Sequence, residues 1–389
     1  MKKIFFIINS MYTYGGEQRV GVEIMNALCD DYEVGVIVGE AYSEKMPYEL
    51  DKRIKRYHMP PSRRNNFTNI LKGIIRRLNL YCGIFNNKYT TKLMKWAWNH
   101  KEYYNKIIDC INEEKPDGVI GLAGGYCVLL ERISKECKIK TITWMHNSYE
   151  AYFETPRQYC WNKDYLFKDI LPNIDSCIVL NEYIAKKYKE NFGVDCEVIY
   201  NPRSFKSEEK ADLSKRQFIA SGRMAYAKGF DLLIEAFELF SRKNEDWNLV
   251  ILGDGKERRN LERKIQKAGL EERVILTGFT DRVKEYMLDS SIFLLTSRWE
   301  GFPMVITEAL EFGLPVIAFD ITAMLPLVTD GEEGILVEPF HTGKFADAML
   351  MLAEDKEKQR RMSENGIKKA SQLSIENIVC QWKRLFERL

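Results

Sequence analysis

The feature that most restricts this chain is a repeated exchange between short, wholly apolar runs and amphipathic stretches. Ile4–Ile8 is the first such run. The loop Met11-Tyr12-Thr13-Tyr14-Gly15-Gly16 follows, and Val20, Gly21, Ile24, Met25 and Leu28 then recur at helical spacing before the next run, Val34, Val36, Ile37 and Val38. Strands apolar on both faces are covered on both faces, so this is a βαβ unit of a parallel sheet. Val119–Leu122, Thr141–Trp144 and Cys177–Leu180 supply further strands of that layer.

A second alternation starts after Asn201-Pro202 and the polar stretch Ser204–Arg216, which reads as a linker. Strands are predicted at Phe218–Ala220, Leu249–Leu252, Val274–Leu276, Ile292–Leu295, Pro315–Phe319 and Ile335–Val337. Helices are predicted at Phe230–Phe240, Glu257–Ala268 and Arg282–Leu288, and Ile375, Ile378, Val379, Trp382, Leu385, Phe386 and Leu389 form one stripe of a closing helix. Two doubly wound αβα domains imply a cleft, and ligands of such sheets bind beyond the carboxyl ends of the strands.

A length of 389 residues suits two such domains, and the 45% hydrophobic and 29% charged residues are ordinary globular usage. No apolar run approaches the roughly 18 residues of a membrane span. Lys2-Lys3 before Ile4–Ile8 mimics a leader, but five apolar residues suit a buried strand better. Nine scattered cysteines without a CxxC pair are expected as reduced thiols of a cytoplasmic protein. The four histidines, His58, His100, His146 and His341, have no metal-ligand spacing, so no metal site is expected.

Several post-strand loops carry chemistry. Gly15-Gly16 opens a helix, and such a loop is either an anion cradle or a tight turn. Arg223, in Ser221-Gly222-Arg223, and Lys228, in Lys228-Gly229, share one strand-to-helix loop; a planar fork and a point charge together suit a diphosphate, and the plainer reading is two solvated surface cations. Gly253-Asp254-Gly255 lacks the third glycine of a dinucleotide fingerprint and reads as a structural turn. In Ser297-Arg298-Trp299-Glu300-Gly301-Phe302-Pro303-Met304-Val305-Ile306-Thr307-Glu308, Pro303 suits the first helical position. Glu300 then lies on the loop, in reach of a sugar, and Glu308 lies in the helix, where it can hold a ribose diol. Free amides near Val305 and Ile306 would receive a phosphate.

Glu300 and Glu308 match the E-x7-E motif of retaining GT-B glycosyltransferases, the large family numbered four. The glycine and basic motifs above, with Thr277-Gly278-Phe279, fall in that family's order, so nearly the whole chain resembles it. The resemblance implies a GT-B fold: an acceptor-side domain over 1–202, a nucleotide-sugar domain over 203–373, and a last helix, 374–389, packed back on the first. It implies that Arg223 and Lys228 bind the donor diphosphate, Glu308 the ribose and Glu300 the transferred sugar. Backbone at Gly16, Met304, Val305 and Ile306 would contact phosphate or sugar, with Phe279 near the base. His146, in Trp144-Met145-His146-Asn147, resembles the family histidine facing the reacting sugar; alone, it fits a satisfied structural residue equally well. Glu17-Gln18-Arg19 departs from the family's small residue followed by Glu-Arg. Catalysis would fall to Glu300, His146, Arg223 and Lys228, with retention of configuration, a UDP-linked hexose or N-acetylhexosamine donor, and no metal or other cofactor. The runner-up readings are another GT-B enzyme such as a nucleotide-sugar epimerase, or a non-catalytic nucleotide-sugar-binding subunit.

The formal charge of +2 conceals a polarity. Residues 52–106 hold fourteen Lys and Arg against one acid, Glu102, which leaves the rest of the chain at −11. Aromatics interleave, and Ile70, Leu71, Ile74, Ile75 and Leu78 form an apolar helical stripe beside Arg76 and Arg77. A basic amphipathic helix with aromatics suits an anionic membrane surface; the plainer reading is a solvated basic face. No nucleic-acid module is visible. The sequence thus predicts a peripheral protein on the inner face of the membrane, acting on a glycan or lipid-linked acceptor of cell-surface polysaccharide or glycolipid synthesis.

Overall fold

The computed structural model describes residues 1–61 and 67–388, so Arg63 and Arg64 of the basic segment and Leu389 of the closing stripe lie outside the described residues. Contacts divide the chain into two compact units, Met1–Asn201 with Ile375–Leu389, and Pro202–Ser374.

In the first unit β1 (Lys3–Ile8), α1 (Gly16–Leu28), β2 (Glu33–Val38) and β3 (Lys55–His58) come first. Three helices follow, α2 (Phe67–Cys82), α3 (Thr91–Trp98) and α4 (Lys101–Glu114). Then come β4 (Gly118–Leu122), α5 (Cys127–Cys137), β5 (Lys140–Trp144), α6 (Asp164–Ile170), β6 (Ser176–Val179), α7 (Glu182–Phe192) and β7 (Glu197–Val198). The seven strands are all parallel in the order β3-β2-β1-β4-β5-β6-β7. Ile4 through Ile8 are fully or almost fully buried, which is why that run is unbroken by polar residues. The sequence pattern did not reveal β3. Its Lys-Arg-Tyr-His is an edge strand with no residue fully buried, so it carries no apolar run.

The second unit contains β8 (Gln217–Ser221), α8 (Phe230–Ser241), β9 (Asn248–Leu252), α9 (Arg258–Ala268), β10 (Val274–Gly278) and α10 (Val283–Leu288). It continues with β11 (Ile292–Leu295), α11 (Met304–Glu311), β12 (Val316–Phe319), β13 (Gly334–Val337), α12 (Thr342–Glu354) and α13 (Lys356–Gln372). Its six strands are parallel in the order β10-β9-β8-β11-β12-β13. Both units are therefore Rossmann-like αβα layers, and each sheet reverses strand order beside its first strand, the place where such folds bind ligands. The stretch Ser204–Arg216 is irregular, but it is no free tether. Buried Glu311 of α11 pairs with Arg203, accepts from the Ser207 amide at 2.9 Å and from Lys210 at 3.0 Å.

The closing helix α14 (Ile375–Arg388) packs on α1 of the first unit. Trp382 is wholly buried, with its ring 4.7 Å from that of Trp144 and edge-on to it, and Phe386 meets Tyr32. Trp382→Ala removes a buried indole that the surrounding rings cannot refill. Loss of about 3–5 kcal/mol of stability is expected, read as a lower denaturant midpoint of the first unit.

Candidate active site

In the second unit the reversal lies between β8 and β11, and the loops leaving these two strands hold one another. Gly229 has φ of +63°, and a Cβ there would collide with the Thr296 carbonyl. The Thr296 hydroxyl donates to the Gly229 carbonyl at 3.0 Å. Arg298 donates from its amide to Ala227 O at 2.7 Å, grips Asp231 with two bonds of 2.8 and 2.7 Å, and lies over the Tyr226 ring at 3.9 Å. A planar fork on a carboxylate fixes orientation as well as distance.

That interlock brings together two of the residues singled out in the sequence. Lys228 Nζ lies 2.5 Å from Glu300 Oε1, and the Ser297 hydroxyl donates to the same oxygen at 2.7 Å. Glu300 Oε2 has no partner among the described residues, and two of the three ammonium donors of Lys228 remain open. Arg223 is exposed just after β8; its carbonyl accepts from the Ala225 amide at 2.7 Å, and its side chain makes no hydrogen bond or ion pair among the described residues. Gly222 has φ of +158°, and the Lys228 side chain runs beside it at ordinary contact distance. The Gly253-Asp254-Gly255 turn is structural: a Cβ on Gly253 would strike Gly222 O and one on Gly255 would strike Met224 O.

Pro303 is the residue before α11, with Met304 the first helical position. The amide of Ile306 is already spent on Pro303 O at 2.8 Å; those of Met304 and Val305 carry no hydrogen bond among the described residues. Glu308 is 9% exposed at the start of the second turn, and Phe279 is 68% exposed just after β10.

In the first unit, Gly16 starts α1 and the extended Gly15 precedes it. His146 follows β5, with its ring 4.3 Å from that of Trp144 and its Nε2 buried without a partner. Burial pushes its pKa down to about 3, so it is neutral at ordinary pH. A cavity of about 210 Å³ lies beyond β4 and β5, bounded by Glu17, Trp98, Gly124, Asn147, Tyr152 and Lys163 among others. Burial raises the Glu17 carboxyl to about 7. Lys163 and Trp98 form no motif in the sequence, because their meeting depends on packing between α3 and α6. Among the described residues no three of His, Cys, Asp and Glu gather as metal ligands.

Two parallel αβα units of this kind are the architecture of the GT-B fold. Residues 203–369 match the family described as glycosyl transferases group 1. It is 27% identical over 388 residues to an uncharacterized glycosyltransferase of Haemophilus influenzae, covering 98% of this chain and 99% of that one. Among solved structures it resembles TarM of S. aureus, in complex with fondaparinux, alpha-GlcNAc-glycerol and UDP, with a TM-score of 0.76, 17% identity, and 99% and 100% of the two chains covered. It also resembles HepE of Anabaena, in complex with UDP and glucose, with a TM-score of 0.75, 18% identity and full coverage of both chains.

Glu17 provides a pH test. Its folded pKa of about 7 exceeds its ordinary value of 4.5, so the stability it contributes is present below 4.5 and lost as pH rises through 7. His146 has the opposite sign, its stability being present above 6.5 and lost as pH falls toward 3. Glu17→Gln is therefore expected to melt like the parent near about pH 5 and a few degrees above it near about pH 8, in paired thermal scans.

Proposed function

We propose that the protein is a retaining glycosyltransferase of glycan synthesis that moves a sugar from a UDP-linked hexose or N-acetylhexosamine to a membrane-held glycan or lipid-linked acceptor, without a metal. The observation that carries this reading is the Lys228–Glu300 pair beside unpaired Arg223 at the reversal of the second sheet. A diphosphate there meets Arg223, two open donors of Lys228, and the Met304 and Val305 amides at the positive end of α11. As the sugar–phosphate bond breaks, charge grows on the leaving oxygen, and these fixed donors stabilise it without reorganising. Glu300 keeps Oε1 on Lys228 and Ser297 and offers Oε2 to a sugar hydroxyl. Glu308 takes the ribose diol and Phe279 flanks the base. His146, being neutral, contributes a hydrogen bond through Nε2 and no charge. The departing phosphate helps to take the acceptor proton, and retention follows. UDP in the TarM and HepE complexes supports the choice of nucleotide.

The basic segment supports the membrane-held acceptor. Helix α2 buries Lys72, Ile75 and Asn79 and leaves Phe67, Ile70, Leu71, Ile74, Leu78 and Tyr81 exposed. An apolar face turned outward on a basic segment suits the headgroup layer of an anionic bilayer, where each Lys or Arg adds about 1 kcal/mol. Among the described residues no helix is long and apolar enough to cross a membrane.

Two measurements follow. Glu300→Gln and Lys228→Ala are each expected to lower turnover of the UDP-sugar by about 10²–10³-fold with an unchanged melting temperature, while Arg223→Ala weakens UDP binding; turnover near the parent's would remove the assignment. Ile70→Asp with Ile74→Asp is expected to abolish flotation with vesicles containing phosphatidylglycerol at moderate salt. Equal flotation of parent and variant would reject the membrane contact.

A further inference from the structure

A second pocket of the first unit, about 420 Å³, opens under α2 and is bounded by Arg76, Arg77, Trp98, Arg157, Tyr159 and Lys163, with no carboxylate among its lining residues. That size lies within the roughly 300–1,000 Å³ of ligand pockets. It shares Trp98, Tyr159 and Lys163 with the Glu17 cavity, so the two spaces adjoin.

The walls offer donors with too few acceptors. Lys163 is only 8% exposed, yet its ammonium meets no carboxylate: it gives one bond of 2.6 Å to Tyr159 O and lies 3.8 Å over the Trp98 ring. An ammonium carries three donors, and a buried charge without a counter-charge is costly. The indole Nε1–H of Trp98 is buried with no acceptor. Arg76 reaches the His100 ring at 2.9 Å and lies over the Trp98 ring at 5.6 Å, and Arg157 stacks on Tyr81 at 4.7 Å. None of the four cations forms an ion pair among the described residues. Burial, helped by the charge of Arg76, lowers the pKa of Lys163.

The frame is held firmly. Asn79 of α2 exchanges bonds of 2.5 and 3.0 Å with Asn162. Arg157, Tyr159 and Asn162 all take positive φ, a conformation that side-chain-bearing residues adopt at a cost. A ligand that only accepts hydrogen bonds, carries at least one full negative charge and continues into an apolar tail matches this pocket together with the exposed apolar stripe of the same helix, α2.

We propose that the Arg76, Arg77, Arg157 and Lys163 pocket binds the phosphate of a lipid phosphate, holding the acceptor with its tail along α2 and its other end toward the Glu17 cavity. The inference deepens the acceptor half of the proposed function and rests on that reading for its role, though not for the binding itself.

The test is calorimetric titration of the full chain, with UDP present to fill the donor site, using decyl phosphate below its micellar concentration, decyl maltoside as the uncharged amphiphile and inorganic phosphate as the tailless anion. Decyl phosphate is expected to bind at least tenfold more tightly than either of the others. Arg77→Gln with Arg157→Gln, both outside the buried core, is expected to weaken decyl phosphate at least tenfold, leaving decyl maltoside and the melting temperature unchanged. Undiminished decyl phosphate binding by that variant, or decyl maltoside binding as tightly as decyl phosphate, overturns the proposal. Inorganic phosphate binding as tightly as decyl phosphate overturns the lipid source. A separate UDP titration keeps the two readings apart: failure of UDP to bind defeats the donor assignment while decyl phosphate binding still stands.

Discussion

The site rests on the interlock between the loops leaving β8 and β11. Lys228 and Glu300 are 72 positions apart in the chain and meet at 2.5 Å only because both backbones are fixed to each other. Gly229 lets the first loop pass directly under Thr296, and Arg298 closes the contact on Asp231 and on backbone carbonyls at Tyr226 and Ala227. A fork of two charge-assisted bonds leaves the partly buried Arg298 no second orientation. The consequence is electrostatic: the cation and the carboxylate are held in one arrangement by the fold itself.

The second unit was largely legible in the sequence, and the first only in part. Strands β8, β9, β11 and β12 are buried on both faces, and a doubly covered strand must be an unbroken apolar run. Strand β3 escapes that rule because it is an edge. Helix α2 shows a different limit. Its apolar stripe is visible in the sequence, but periodicity marks a face without saying which side is inside. Here the inner side is held by polar bonds, Lys72 to Asn99 O at 2.6 Å and the Asn79–Asn162 exchange, and Ile75 alone of the five stripe residues is buried.

The same division applies to the sites. Glu300, Glu308, Arg223 and Lys228 could be picked out because their spacing to a strand end and a helix start is local. Ser297 and Arg298 stood in the quoted segment, yet their partners, Glu300 Oε1 and Asp231, are products of the fold. The basic pocket was legible only in part: Arg76, Arg77 and Trp98 belong to the basic, aromatic-rich stretch 52–106, whereas Arg157 and Lys163 come from the loop before α6 and join them only through the fold.

Stability alone does not account for the first unit's polar interior. Lys163 is buried without a counter-charge, His146 is buried with an unpartnered nitrogen, and Glu17 is desolvated enough to hold its proton to about 7. Each is less favourable than an apolar residue of similar size, since an unmatched buried donor or charge loses its hydration and gains little in return. All three belong to segments that follow β-strands: Glu17 opens the helix after β1, while His146 and Lys163 lie between β5 and β6. The second unit solves the same problem differently, by pairing Lys228 with Glu300 so that each cancels the other. One unit thus stores its binding capacity as an internal ion pair and the other as unsatisfied donors, and the latter arrangement is complete only when an anion occupies it.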